Sequence, residues 1–248
     1  MFTVLILNGG ALPTLLKWRE RHPAAPDHLG RLARPRHISR LRDTLEAGFK
    51  VGVDCEAFVG FDQAKFLAQL IRIEQALYGR VLRHSERIAP LGWEIPGDLP
   101  MLPLLPAWHE NLLFVVVPDV PFDAEGTARL WAQWTPWMSH LPLALCVQDG
   151  AEKTGIPWGW PNLRCLFMAG SDDYKESVEM AAICREGKRR GLHIHAGRVN
   201  SRRRIDYLLG LDFVDSIDGT GFDQWRDTHL GWGLDRVSGM HAHQGVLL

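Results

Sequence analysis

The chain has 248 residues, enough for one barrel-sized domain or two small ones with a substantial core. Hydrophobic residues make up 46% and charged residues 23%, and no apolar run approaches the ~18 residues that a membrane-spanning helix needs. The net charge of −1 argues against nucleic-acid binding over the whole surface, but it leaves room for a local basic rim. Four single cysteines without a C-x-x-C pair favour reduced thiols and a cytoplasmic protein.

Short apolar runs alternate with helical patterns along the chain. Seven segments are predicted to be strands: 4–7, 49–53, 112–117, 143–147, 163–168, 193–195 and 213–217. Apolar residues at helical spacing predict helices at 66–73, 127–138, 178–190 and 202–209. A stretch rich in proline and glycine at 90–108 predicts a loop insertion.

This alternation is typical of parallel strands joined by right-handed crossovers. We expect an α/β fold, a single (β/α)8 TIM barrel over residues 1–248, trimmed or closed by an eighth strand that the pattern does not reveal. An open doubly wound sheet is the alternative. The sequence lacks a G-x-G-x-x-G after any predicted strand and lacks a Walker motif, which weakens that alternative.

Polar residues follow most of the predicted strands. They include Asp54, Asp119, Gln148, Ser171, Arg198, Asn200, Asp215 and Asp218. The carboxyl ends of barrel strands converge on one face, where the active sites of such enzymes lie. Although a single Asp after a strand is often only a helix cap, so many polar strand ends together predict a functional cluster.

Three chemistries could use such a cluster. Carboxylates could hold a divalent metal ion. His193 and His195 form an H-x-H pair on one face of a strand, as a zinc hydrolase would require. Alternatively, one carboxylate could attack C1′ of a nucleoside while another transfers the proton.

Four segments carry a more specific signal: 117–120 (VPDV), 147–150 (VQDG), 197–204 (GRVNSRRR) and 214–220 (VDSIDGT). Together they resemble the guanine transglycosylase superfamily, which includes the tRNA-guanine transglycosylases and the phage and bacterial 7-deazaguanine DNA transglycosylases. The resemblance runs from about Lys50 to Phe222. The last two segments are most similar to the branch that acts on DNA.

The resemblance implies a role for each matched residue. Asp215 would be the nucleophile, Asp54 the general acid/base and Asp119 the group that reads the guanine edge. Gln148, Gly170 and Ser171 would contact the base. The basic segment after the sixth predicted strand would hold nucleic-acid phosphates through Arg198, Asn200, Arg202 and Arg203, since arginines beside an active site can grip the backbone.

The function implied is exchange of guanine in DNA for a free 7-deazaguanine base, through a covalent intermediate and with no metal or other cofactor. The zinc motif C-x-C-x-x-C…H of the tRNA enzymes is absent from the sequence, which favours DNA over tRNA as the partner. Glu56 stands where the family has glycine. Two alternatives stay open, a tRNA-guanine transglycosylase and a non-catalytic protein that binds modified bases.

Overall fold

Eight parallel strands pair in chain order, and β8 closes on β1 to complete a barrel. The computed structural model describes residues 3–35, 38, 40–88 and 109–239. The strands are β1 (Leu5–Asn8), β2 (Leu29–Ala33), β3 (Val51–Val53), β4 (Leu112–Val116), β5 (Leu143–Val147), β6 (Leu163–Met168), β7 (His193–Ala196) and β8 (Ser216–Ile217). The (β/α)8 barrel predicted from the sequence is confirmed. The predicted loop insertion at 90–108 lies outside the described residues.

Helices cover the outside of the barrel and connect successive strands. Their bounds are α1 (Leu12–Arg21), α2 (Ala25–His28), α3 (Leu41–Glu46), α4 (Gln63–Tyr78), α5 (His84–Ile88), α6 (Ala124–Met138), α7 (Ala151–Thr154), α8 (Asp172–Lys175), α9 (Val178–Arg189), α10 (Arg202–Leu209), α11 (Thr220–Gln224) and α12 (Gly231–Ser238). The four predicted helices correspond to α4, α6, α9 and α10. Side-chain caps begin several of them, and Asp62, for example, accepts a hydrogen bond from Lys65 N at 3.0 Å.

The strand that the sequence pattern does not reveal is β2. Its residues include Gly30 and Arg31, neither of which favours strands, yet all five residues are buried. A Cβ at Gly30 would lie 2.6 Å from the Lys50 carbonyl oxygen, so the neighbouring backbone requires glycine there. The Arg31 guanidinium is buried and donates to Thr44 Oγ1 at 2.9 Å, which places a charged residue inside an otherwise apolar wall.

Aromatic rings fill the barrel interior beneath its carboxyl end. The Phe114 and Phe167 rings contact His195, with centroid distances of 5.2 Å and 4.4 Å. Two glycines make room for these rings, because a Cβ at Gly52 would lie 2.4 Å from Phe114 and one at Gly197 would lie 2.3 Å from Phe167. This packing holds His195 fully buried in the centre of the barrel.

The described helices include none that is both long and apolar enough to cross a membrane. All four cysteines lie among the described residues, and each is buried as a free thiol. Burial raises the pKa values of Cys55, Cys146, Cys165 and Cys184, which keeps these thiols protonated and unreactive.

Candidate active site

A pocket of about 450 Å³ opens at the carboxyl end of the barrel. Seven of the eight strands contribute to it with residues at or just beyond their carboxyl ends. These residues are Arg34, Asp54, Asp119, Gln148, Gly170, Arg198 and Asp218. The predicted convergence of polar strand ends on one face is therefore observed, and five of these seven residues were singled out from the sequence as site residues.

Asp54 follows β3 and faces this pocket. Its Oδ1 accepts a hydrogen bond from Glu56 N at 3.2 Å, and its backbone oxygen accepts one from Gln69 Nε2 at 2.9 Å. Burial, together with the nearby charge of Asp218, raises the pKa of Asp54 to about 7. Asp54 can therefore hold or release a proton near neutral pH, as a general acid/base must.

Asp218 follows β8 and is the second carboxylate of the pocket. Its Oδ1 lies 3.1 Å from Arg198 N, which donates to it, and 3.2 Å from His195 Nε2. The side chain is almost wholly buried, with its residue 6% exposed. Because both contacts fall on one oxygen, they fix the orientation of the carboxyl group and leave its other oxygen without a hydrogen-bond partner among the described residues.

Asp215 lies elsewhere, and the prediction that it shares a site with Asp54 is corrected by the structure. It precedes β8, at the amino end of the barrel, where it forms an ion pair with Lys188 and accepts a hydrogen bond from Ile194 N at 2.8 Å. It does not line the pocket. Because β8 has only two residues, an offset of three positions moves a side chain from one end of the barrel to the other. Asp218, on the other side of β8, lines the pocket instead.

Asp119 and Gln148 form a hydrogen-bonded pair on the pocket wall. Gln148 Nε2 donates to Asp119 Oδ2 at 2.6 Å, while Gln148 Oε1 accepts from Phe122 N at 2.9 Å. Cys55 Sγ donates to Asp119 Oδ1 at 3.5 Å. Burial raises the pKa of Asp119, although these donors oppose the shift. Both residues stand where the sequence predicts, and together they present a rigid polar edge.

The remaining predicted base contacts differ in position. Gly170 lines the pocket with φ +81°, and a Cβ there would lie 2.5 Å from Asp149 Oδ2. Ser171 is turned away from the pocket, because its Oγ donates to Asp149 Oδ1 at 2.5 Å and also caps α8. The predicted contact between Ser171 and the base is therefore not supported by its position. Asn200 does line the pocket and accepts from Thr220 Oγ1 at 3.0 Å.

Two exposed aromatic rings lie on the rim of the pocket. Phe58 and Phe122 are 52% and 48% exposed, and their rings meet edge to face at 5.9 Å. The Arg198 guanidinium lies over the Phe58 ring at 3.8 Å. Exposed phenylalanines beside a polar cavity indicate a surface for a flat ligand, since single-stranded bases stack on such rings.

Backbone strain is concentrated around the pocket. Four described residues other than glycine have positive φ, and three of them, Glu56, Phe122 and Arg198, line the pocket. Glu56 has φ +57° and ψ +31°, a conformation that favours glycine. The backbone at this position therefore has a conformation suited to glycine, although the residue is Glu. Strained residues persist where the surrounding structure holds them, and they cluster at functional sites.

The arginines predicted to hold phosphates do not share one surface. Arg198 lies at the pocket, whereas Arg202 packs over the Trp232 ring at 4.6 Å. Arg203 is exposed and pairs with Glu176 at 2.8 Å. Arg204, which is more buried, pairs with both Glu176 and Asp172. Of the predicted basic segment, only Arg198 and Asn200 line the pocket.

Sequence reasoning missed a buried lysine in the pocket. Lys175 ends the short helix α8, is 4% exposed, and donates to Gly197 O at 3.0 Å. Burial lowers the pKa of Lys175 to about 8, and the nearby charge of Arg198 adds to that effect. Arg34 was also missed, and it pairs with Asp223 at 3.1 Å. The sequence around Lys175 does not distinguish it from a surface lysine, because it lies at the end of a short helix and not at the end of a strand.

The histidine pair lies inside the barrel. His193 and His195 share one face of β7, as alternation predicts, because both rings approach Ser216 Oγ at 2.7 Å. His195 Nε2 also faces Asp218. Three of the four ring nitrogens are thus engaged in hydrogen bonds, which speaks against the zinc hydrolase hypothesis. Among the described residues, no group of three or more His, Cys, Asp or Glu side chains is arranged to hold a metal ion.

Comparison of the sequence with protein-family models and with curated proteins finds no match.

Proposed function

We propose that this protein is a base-exchange transglycosylase that replaces guanine in DNA with a free 7-deazaguanine base. The observation that carries the proposal is a pair of carboxyl groups with different environments in one pocket. Asp54 has a pKa of about 7, and Asp218 is held by the Arg198 N–H and the His195 ring, which both contact one carboxyl oxygen. A proton donor beside an oriented carboxylate is the arrangement that double-displacement glycosyl transfer requires.

The first half of the reaction breaks the bond between deoxyribose and guanine. The target nucleotide leaves the DNA stack and enters the pocket. The free oxygen of Asp218 attacks C1′, the C1′–N9 electron pair moves to the guanine, and protonated Asp54 supplies a proton to the leaving base. The products are neutral guanine, an ester between Asp218 and C1′, and ionised Asp54.

The second half restores the enzyme. A 7-deazaguanine base replaces guanine in the pocket, and Asp54 accepts its N9 proton. N9 then attacks C1′ and the Asp218 carboxylate leaves. Two inversions at C1′ give net retention of configuration, as in retaining glycosidases. Asp54 thus acts first as an acid and then as a base, a role suited to a pKa near the working pH.

The pocket wall supplies recognition of the base. Guanine presents N–H donors at N1 and N2, and a carboxylate such as Asp119 accepts from both. Gln148 is fixed between Asp119 and Phe122 N, so its orientation is set before the base arrives. The volume of about 450 Å³ lies within the range of small-molecule sites. The Phe58 and Phe122 rings offer stacking surfaces for the base or its neighbours.

The choice of DNA as the polymer depends on the resemblance and on the missing zinc motif. Arg198 is the basic residue at the rim that could contact a phosphate next to the extruded nucleotide. Its guanidinium also stacks on Phe58, and this contact orients it toward the pocket mouth.

A labelled-guanine exchange assay tests the proposal. Purified protein is incubated with radiolabelled guanine and duplex DNA, single-stranded DNA or tRNA, at matched salt, and label in the polymer is counted. We expect incorporation into DNA that is chased out by unlabelled guanine or a 7-deazaguanine base. Asp149→Asn serves as a control and should keep the exchange activity, because Asp149 contacts Ser171 outside the pocket.

The three substrates separate the alternatives. Incorporation into tRNA alone would replace the DNA proposal with a tRNA-guanine transglycosylase. Binding of the free base without exchange into any polymer would favour a non-catalytic protein that binds modified bases. Either result would overturn the proposed function.

A further inference from the structure

A chain of hydrogen bonds runs through the barrel interior from the pocket toward its amino end. Asp218 Oδ1 lies 3.2 Å from His195 Nε2. His195 Nδ1 lies 2.7 Å from Ser216 Oγ, and Ser216 Oγ lies 2.7 Å from His193 Nε2. The four side chains come from two neighbouring strands, β7 and β8, and from the residue directly after β8, so the barrel itself sets these distances.

We infer that this chain of hydrogen bonds has one fixed direction of proton donation, its polarity. We also infer that His195 is a positioning residue for Asp218. The inference rests on the proposed function, in which Asp218 is the nucleophile. His195 touches neither substrate nor reacting atoms; it acts by holding the carboxylate. Ser216 and His193 act one and two steps further away, because Ser216 donates to His195 Nδ1 and His193 donates to Ser216.

The polarity follows from the donors and acceptors available. An ionised Asp218 can only accept, so His195 Nε2 carries the proton and donates it. A neutral imidazole has one N–H, so His195 Nδ1 is an acceptor and Ser216 must donate to it. Ser216 Oγ then accepts from His193, whose Nε2 also carries its proton. The three donors, His193, Ser216 and His195, therefore all point their protons toward the pocket.

The two imidazoles lie in a buried interior. His195 is fully buried, with the Phe114 and Phe167 rings on its faces and the Asp218 carboxyl group at its Nε2. Burial lowers the pKa of His193 to about 4, although Asp215 opposes the shift. Lys188 pairs with Asp215 beside it, and that cation also disfavours a charged His193. Ser216, between the two rings, is fully buried and uncharged.

The chain of hydrogen bonds makes the two carboxyl oxygens of Asp218 different in their contacts. Oδ1 keeps the N–H of His195 and the backbone N–H of Arg198. This oxygen becomes the carbonyl oxygen of the ester, while the other oxygen bonds to C1′. Since the donors stay in place during both displacements, the carboxylate does not rotate between attack and departure. Preorganised donors of this kind contribute to catalysis without reorganisation.

Nitrogen-15 NMR of the histidine rings tests the polarity in the resting protein, without substrate. We expect His193 and His195 to be neutral with the proton on Nε2 at pH 7. Ser216→Ala should leave the proton of His195 on Nε2, where Asp218 accepts it, but should shift the Nδ1 resonance, because Nδ1 loses its donor. A His195 that is doubly protonated, or protonated on Nδ1, would overturn the inference. So would an unchanged His195 spectrum in Ser216→Ala.

Kinetics test the positioning role separately. His195→Leu should lower kcat by about 10- to 100-fold at an unchanged KM for DNA, the range typical of residues that orient a reacting group. His195→Gln keeps an N–H donor and should recover most of that loss. Equal kcat values for the two variants, at equal thermal stability, would contradict the role. If the wild type showed no exchange, the proposed function would fail, while the NMR result would still decide the polarity.

Discussion

Asp215 and Asp218 flank the two-residue strand β8 and lie at opposite ends of the barrel. Asp215 pairs with Lys188 at the amino end, whereas Asp218 lines the pocket with Asp54. The two residues are therefore a natural pair for separating structure from catalysis. Loss of Asp215 removes a partly exposed ion pair, while loss of Asp218 removes the group proposed to attack C1′.

The raised pKa of Asp54 predicts a pH-dependent stability. The unfolded carboxyl has a pKa of 3.8 and the folded one about 7, so between these values only the folded protein holds the proton. Stability from this group is therefore present below about pH 4 and is lost as the pH rises to 7. Relative to wild type, the free energy of unfolding of Asp54→Asn should rise by on the order of 2 kcal/mol between pH 5 and 8. This value is smaller than the full pKa difference implies, because the pocket is open to solvent.

Urea unfolding of both proteins across that range measures the difference. Asp27→Asn is the control, because it makes the same chemical change at an exposed residue. A constant difference between Asp54→Asn and wild type would show that Asp54 ionises in the folded protein as it does in the unfolded chain.

Asp119→Asn should impair the choice of base more than it impairs binding to DNA. An amide presents a donor where guanine needs an acceptor, so discrimination of guanine over adenine should fall by about 100-fold or more. Competition between the two free bases in the exchange assay measures this ratio. Asp149→Asn makes the same chemical change at the end of β5, outside the pocket, and should leave the ratio intact. Equal discrimination in both variants would remove Asp119 from the recognition site.

The backbone conformation of Glu56 predicts that the usual stability order of alanine and glycine variants is reversed at this position. Because Glu56 has φ +57°, Glu56→Gly should be more stable than Glu56→Ala by about 1 kcal/mol. At Glu179, exposed in α9, glycine should instead be less stable than alanine by a similar amount. Thermal or urea unfolding of the four variants gives both differences. The same order at both positions would contradict the left-handed conformation of Glu56.

Arg198 should contribute to the salt dependence of DNA binding. Each lost phosphate contact reduces the slope of log K against log salt by about one unit, and Arg198→Gln should show that reduction. Arg203→Gln should show less, because Glu176 already pairs with Arg203. Arg129→Gln, on α6, should show none. Fluorescence anisotropy with labelled DNA at several salt concentrations measures the slopes, and equal slopes for Arg198→Gln and Arg129→Gln would exclude the contact.

Periodicity and strand ends predicted most of the fold and part of the site. Alternating apolar runs indicated seven strands, and β2 escaped because Gly30 and buried Arg31 resemble a polar loop in sequence. Asp54, Asp119 and Gln148 could be placed because each directly follows a strong strand. Ser171 could not, since a serine at a strand end can either face the pocket or cap the next helix.

The positions of Asp218, Lys175 and His195 depend on contacts between distant segments. A short strand such as β8 leaves its register open by a few positions, and the choice between Asp215 and Asp218 depends on that register. Lys175 lines the pocket and contacts Gly197, whereas His195 lies in the barrel interior and contacts Asp218. Neither contact leaves a pattern in the sequence, because the partners lie 22 and 23 residues away.

Trapping the covalent intermediate tests the central claim most directly. Protein and guanine-containing DNA are mixed without free base, denatured, and separated on a gel, and the modified peptide is identified by mass spectrometry. The account predicts a protein–DNA adduct on Asp218 that forms in wild type and Asp215→Asn and is lost in Asp218→Asn, with all three proteins folded by thermal melting. An adduct that persists in Asp218→Asn, or that is lost only in Asp215→Asn, would contradict it.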